Sequence, residues 1–229
     1  AMLIHLYRQE ARQARAMQRF VSTVTHEMKT PIAGLKSLVQ TAAQGELPQE
    51  SRAELMRMGV AEAERLEHLV ENILIAGKLR TDEHATRPER VAIGAFVDDL
   101  VGHRSSFLAR PGSLAVEFGE GAREAVVLAD LDSVRVILEN LLDNAYKYGG
   151  ADPTVRMIVH REDGGIAIDV VDGGAGFDRN GAEALFRPFV RSAAAGASSS
   201  HGTGLGLSIA RALARRMGGD VTGASEGRG

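Results

Sequence analysis

Asn140, Asn144 and Lys147 stand four and three residues apart, which puts all three within about 60° of arc on one helix face. An amide oxygen is a hard ligand for Mg²⁺, and an ammonium neutralises phosphate charge. Further on comes Asp172-Gly173-Gly174-Ala175-Gly176-Phe177. Glycines there let the backbone approach a flat ligand, and the carboxylate can accept a hydrogen bond from an exocyclic amine. A third segment, Gly202-Thr203-Gly204-Leu205-Gly206-Leu207, opens a helical pattern. Free N–H groups at a helix start, unobstructed by side chains, make a phosphate cradle. The three segments together suit a metal–triphosphate carrying a base. Taken singly they also read as a solvated helix face and two turns. The glycine cluster is neither a Walker A loop nor a dinucleotide fingerprint, because it lacks both Gly-Lys-Ser/Thr and the G-x-G-x-x-G spacing.

His26 heads a different constellation, His26-Glu27-Met28-Lys29-Thr30-Pro31. With Val21 and Met28 at heptad position a and Val24 at d, His26 falls at f and points away from the seam. Pro31 has no N–H and frees the carbonyl of Glu27, so a bend is expected one turn past the histidine. A proline inside an ordinary helix costs about 3 kcal/mol, a poor choice for structure alone. Neutral imidazole is a nucleophile near pH 7, and Glu27 is placed to take a proton from its other nitrogen. A histidine on a helix ordinarily reads as polar surface, and of the seven histidines His26 is set apart by its position.

Two kinds of element must position these groups. Over the first 80 residues the periodicity is helical. Leu3, Tyr7, Glu10, Ala14, Met17, Val21, Val24 and Met28 alternate at three and four, continuing through Leu35, Leu38 and Ala42. Glu10 is the one polar member. Gly45 and Pro48 break the pattern. A second helix is expected from near Ser51, with Leu55, Met58, Leu66, Leu69, Ile73 and Ala76 on one side. A hairpin of this kind has apolar faces too large for its own two helices. Two copies complete a four-helix bundle, so a homodimer is expected over a capped monomeric hairpin.

Residues 81–90 are polar and read as a linker between a helical domain, 1–80, and a second domain, 91–229. In the second, strands are expected at 91–93, 114–118, 125–129, 154–160 and 165–171, with a turn at Glu162-Asp163-Gly164. Helices are expected at 94–108, 131–148 and 205–217. Such alternation predicts a mixed sheet covered on one face by helices. The small-residue run 192–200 reads as a loop.

Composition narrows the chemistry. The 229-residue chain has no cysteine, which excludes disulfides, thiolate catalysis and Cys-based zinc sites. A net charge of −3, 4% aromatic residues and no tryptophan give no case for nucleic acid or an anionic membrane as partner. No apolar run reaches the roughly 18–20 residues that span a bilayer, and no signal-peptide pattern opens the chain. The expected location is the cytoplasm, including as the soluble part of a longer protein.

In their order along the chain, these segments resemble the catalytic core of sensor histidine kinases. LENLLDNAYKYG is similar to the family's N box, DGGAGF to its first glycine box, LFRPFVR to its phenylalanine box and GTGLGLSIAR to its second glycine box. The stretch from about Phe20 to Leu38 resembles the H box. The resemblance implies a dimeric four-helix bundle followed by an α/β sandwich shared with gyrase-type ATPases. It implies that His26 accepts phosphate with Glu27 as its partner, and that Thr30 positions water for dephosphorylating a partner protein. It implies Asn144 as the Mg²⁺ ligand, Asn140 and Lys147 near the phosphates, Tyr148 against the base and Asp172 on the adenine amine. Gly174, Gly176, Leu205 and Leu207 join the ATP contacts, with Gly202, Gly204 and Gly206 in the lid hinge. The implied partner is a response-regulator receiver domain. Gly173 departs from the family, which commonly has Asn there. In the related ATPases a Glu one turn before the metal-binding Asn activates water; here that place is Asn140, and an amide is not a base. A non-catalytic ATP-binding scaffold of the same fold is the alternative. Whether transfer runs within or between subunits stays open.

Overall fold

The computed structural model describes residues 2–43, 47–81, 85–102, 112–150, 152–178, 182–190 and 203–226. The chain divides into two compact units, breaking between Ile73 and Leu74.

The first unit rests on two long helices, α1 (Met2–Ala43) and α2 (Gln49–Arg80). Pro31 lies inside α1 and does not end it. Its side chain is fully buried, while the Glu27 carbonyl loses its N–H partner. Val24, Met28, Leu35, Leu38 and Ala42 of the expected stripe are half-buried, as are Leu55, Leu66, Leu69, Ile73 and Ala76 of α2. Met58 departs from its expected place and is 49% exposed, while the smaller Gly59 is half-buried. The seam positions Leu3, Tyr7, Glu10, Ala14 and Met17 lie outside the described side chains. Val21 departs likewise, 55% exposed where the seam was expected, and it joins an open apolar set with Ile32 and Val39 on α1, and Met56, Val60, Val70 and Leu74 on α2. Spacings of 11 and 7 align the first three along one helix line.

The second unit contains five strands, β1 (Glu89–Ala92), β2 (Ser113–Phe118), β3 (Val126–Ala129), β4 (Thr154–Glu162) and β5 (Gly165–Val171). Its helices are α3 (Ile93–Gly102), α4 (Leu131–Tyr148), α5 (Ala182–Leu185) and α6 (Gly206–Arg216). Two sheets form where the sequence suggested one. β1 pairs antiparallel with β3, and β2-β4-β5 is a separate mixed sheet with β2 and β4 parallel. The parallel pair needs a crossover, and β3 with α4 supplies it. β4 and β5 form a hairpin whose turn residues Asp163 and Gly164 both have positive φ, 42° and 81°. That is the backbone twist a two-residue hairpin turn requires.

The core follows from period-two burial on β4. Val155, Met157 and Val159 are wholly buried and alternate with outward Thr154 and Arg156. Phe96, Val97 and Leu100 of α3 and Leu138, Leu142 and Ala145 of α4 join the same cluster. α4 has a capped start: the Asp130 carboxylate accepts from Ser133 N at 3.2 Å and from Arg87 N at 3.0 Å. One buried side chain thus closes the first turn of α4 and anchors the incoming chain. The end of the helix expected at 94–108 lies partly outside the described residues.

Candidate functional site

α4 carries the first group of candidates, and burial distinguishes them. Asn140 is 4% exposed, and its Nδ2 donates to Val136 O at 2.9 Å. Asn144 and Lys147, one and two turns on, are half-buried. The outward face of three expected from spacing is therefore graded, with Asn140 at its floor. Asn144 has no side-chain hydrogen bond among the described residues. Lys147 places Nζ 5.1 Å from the ring centroid of Tyr148, which ends the helix and is 38% exposed. A cation in the last turn is also favoured by the helix dipole.

The chain leaves β5 into Asp172, whose Oδ1 accepts from Gly174 N at 2.8 Å. This local turn fixes one carboxylate oxygen and leaves the other to a ligand. A Cβ on Gly174 would lie 2.3 Å from Tyr148 O, so only glycine lets this turn rest on the end of α4. Gly176 has φ 65°, a left-handed conformation that favours glycine. At Gly173 a Cβ would meet nothing within 4 Å. The departure from the family's Asn thus leaves the turn sterically intact.

The second glycine segment closes on the same helix. A Cβ on Gly206 would approach Asn140 Oδ1 to 2.5 Å, so the backbone at the start of α6 lies directly on the buried amide. Leu205 beside it is 2% exposed and pins the turn to the core. No side chain caps α6, so its first N–H groups keep the partial positive charge that attracts an anion. Gly204 has φ 68°, and its carbonyl accepts from Phe189 N at 2.9 Å. Phe189 itself holds φ 65°, a strained conformation for a bulky residue. Gly202 lies outside the described residues; Leu207 is half-buried on the first turn of α6.

The structure therefore brings Asn140, Asn144, Lys147, Tyr148, Asp172, Gly174, Gly204 and Gly206 around the C-terminal half of α4 and the start of α6. The donor set fits a magnesium nucleotide. A half-buried amide without a protein partner, an ammonium, an uncapped helix start and a free carboxylate oxygen each match one part of it. Arg211, on the last motif residue, received no role from sequence reasoning. Its partners Glu183 and Asp220 sit 28 residues before and 9 residues after it, distances that no local pattern exposes.

His26 belongs to the other unit. Its side chain is 77% exposed, whereas that of Glu27 is 6% exposed. Nδ1 stands 4.0 Å from Glu27 Oε1, close enough for attraction and beyond hydrogen-bond reach. Thr30, one turn later, is half-buried.

Comparison with known proteins bears on both units. Residues 16–82 match the family model of the His Kinase A (phospho-acceptor) domain. Residues 129–229 match that of the Histidine kinase-, DNA gyrase B-, and HSP90-like ATPase. Sensor histidine kinase WalK of Bacillus subtilis is 29% identical over 218 residues, 93% of this chain and 35% of the relative. Sensor protein KdpD of Mycobacterium tuberculosis is 31% identical over 228 residues, 93% of this chain and 26% of the relative. The chain thus spans about a third or less of these relatives. Among solved structures, Acinetobacter baumannii histidine kinase AdeS aligns with a TM-score of 0.59 at 22% identity, over 89% of this chain and 92% of that one. Histidine kinase ThkA in complex with response regulator protein TrrA aligns with a TM-score of 0.57 at 16% identity, over 96% and 62%. At these identities the structural likeness speaks for the fold.

Proposed function

Because the chain belongs to the histidine kinase family, carrying both its phosphoacceptor and its ATPase-type domains, we propose that it phosphorylates His26 from ATP. The observation that carries this reading is the pairing of Asn140 with Gly206. A buried amide stands under the start of α6, where a hydrolytic relative would need a carboxylate base. An amide cannot deprotonate water, so the bound nucleotide waits for a better nucleophile.

His26 is that nucleophile. Nδ1 is the ring nitrogen nearer Glu27, which leaves Nε2 to attack the γ-phosphorus. The new N–P bond forms as the bond to the β–γ bridging oxygen breaks, and ADP leaves with that oxygen. The Glu27 carboxylate stabilises the Nδ1 proton and takes it up once the 4.0 Å gap between them closes to hydrogen-bond distance. Asn144 would hold Mg²⁺, whose charge offsets that of the transferring phosphoryl group. Lys147 and the α6 N–H groups orient the phosphates; Asp172 accepts from the adenine amine, and Tyr148 lies against the base.

His26 then donates its phosphoryl group to an aspartate of a response-regulator receiver domain. The complex of ThkA with its response regulator supports such a partner. Thr30 would position the water that later removes phosphate from the regulator. A second copy covers the open apolar set on α1 and α2 and completes a four-helix bundle. Among the described residues no helix is long and apolar enough to cross a membrane.

The test follows the γ-phosphate of labelled ATP in the presence of Mg²⁺. Label held on the protein, with little free phosphate, is the expected result. Steady release of phosphate without protein labelling would instead favour a hydrolytic ATPase.

A further inference from the structure

Arg211 is 9% exposed, and its guanidinium is held by two carboxylates at once. Nη1 and Nη2 donate to Glu183 at 2.8 and 3.1 Å, while Nε and Nη2 donate to Asp220 at 2.9 and 3.2 Å. Two bidentate forks on one guanidinium use four of its five planar N–H donors; a lysine ammonium has no such geometry. The ring of Phe186 lies 4.7 Å from the guanidinium carbon and covers it. Arg215 adds two bonds to the same Asp220, at 3.1 and 3.2 Å. Two arginines and two carboxylates make the cluster neutral, so it carries no spare charge for an external ligand.

What the cluster joins gives it a role. Glu183 is on α5, and Phe186 and Phe189 follow it directly. Phe189 N donates to Gly204 O at 2.9 Å, and two residues later Gly206 rests on Asn140. Asp220 begins the segment that carries Ser225, whose Oγ accepts from Phe177 N at 3.2 Å at the end of the first glycine turn. A Cβ on Gly223, in the same segment, would lie 3.4 Å from the Phe177 ring and 3.6 Å from that of Phe186. One guanidinium therefore ties together the segments that hold both glycine turns.

We propose that Arg211 is a positioning residue of the nucleotide site: by clasping Glu183 and Asp220 it fixes the spacing between the two glycine turns and so sets nucleotide affinity. The inference rests on the nucleotide-site reading above. Arg211 reaches the ligand only through Gly204–Phe189 on one side and Ser225–Phe177 on the other. Its loss therefore weakens binding more than it slows the transfer from bound nucleotide.

The test measures ATP affinity by displacement of trinitrophenyl-ATP, the labelling rate at saturating ATP and the melting temperature. Variants are Arg211→Met, Arg211→Lys, Glu183→Gln and Asp220→Asn. Arg211→Met should raise the Kd for ATP about tenfold, with a smaller change in saturated rate, and Arg211→Lys should fall between it and the unaltered chain. Glu183→Gln, at the exposed end of the clasp, keeps the fold and should raise Kd about threefold; combined with Arg211→Met it should add nothing further. Kd unchanged in both Glu183→Gln and Asp220→Asn, with a lowered melting temperature, would reduce the clasp to a structural tie and overturn the inference alone. Failure of the unaltered chain to bind ATP would overturn the nucleotide-site reading, and this inference with it.

Discussion

Side chains of the same type on one helix do different work here because their burial differs. Asn140 spends its amide N–H on Val136 O and lies beneath Gly206. Asn144, a turn later, has no partner among the described residues and is half-buried. The first is a floor, and the second is the side chain we propose as the metal ligand. Spacing alone made them equivalent, since a helical wheel shows direction and not what packs above each position. The prediction at this scale is that Asn144→Ala loses Mg²⁺-dependent ATP binding by at least about tenfold, as expected for removal of a metal ligand. Titrating ATP with and without Mg²⁺ checks it; a Mg²⁺ dependence equal to that of the unaltered chain would contradict the assignment. His26 and Glu27 show a similar division, an exposed imidazole beside a buried carboxylate. The heptad phase showed the imidazole's direction, but it gave no sign that Glu27 is buried.

At the scale of elements, the long periodic segments were readable and their partners were not. α4 and β5 occupy the ranges their patterns predict, because an amphipathic stripe and a Glu-Asp-Gly turn both act locally. The division into two sheets was invisible, since pairing β1 with β3 joins residues 34 to 40 positions apart, Ala92 opposite Val126 at one end and Glu89 opposite Ala129 at the other. The clasp on Arg211 escaped detection for the same reason. It also has a pH signature. Hydrogen bonds from Arg211 hold the Glu183 carboxyl below its ordinary range, and those from Arg211 and Arg215 hold Asp220 well below it. Both shifts are downward, so their stabilisation is fully present above the unfolded carboxylate range of about pH 4. It is lost as pH falls through the folded values. The melting difference between the unaltered chain and Arg211→Met should therefore be flat from about pH 7 to 5 and narrow only below about pH 4. Glu183 is 77% exposed, so added salt should weaken its share first. A difference that disappears between pH 7 and 5 would show that another group controls the joint.

For the whole molecule the open question in the sequence was what covers a hairpin whose apolar residues exceed its own contact. The structure leaves Ile32 49% and Val39 67% exposed on α1, and Met56, Val60 and Leu74 more than half exposed on α2. We propose that these exposed apolar residues form the interface between two copies. Ile32→Glu together with Val39→Glu should convert a dimer to a monomer in sedimentation at micromolar concentration, because each buried charge costs several kcal/mol. A variant that sediments with the unaltered chain would place the interface elsewhere. The family motifs made both halves recognisable in sequence, since each carries a compact local signature. How the halves cooperate rests on the chemistry proposed for His26. Incubation with γ-labelled ATP and Mg²⁺ tests that chemistry most directly, comparing the unaltered chain with His26→Gln. Acid-labile, alkali-stable label on the unaltered chain and none on the variant is the predicted result; equal label on both would contradict the account.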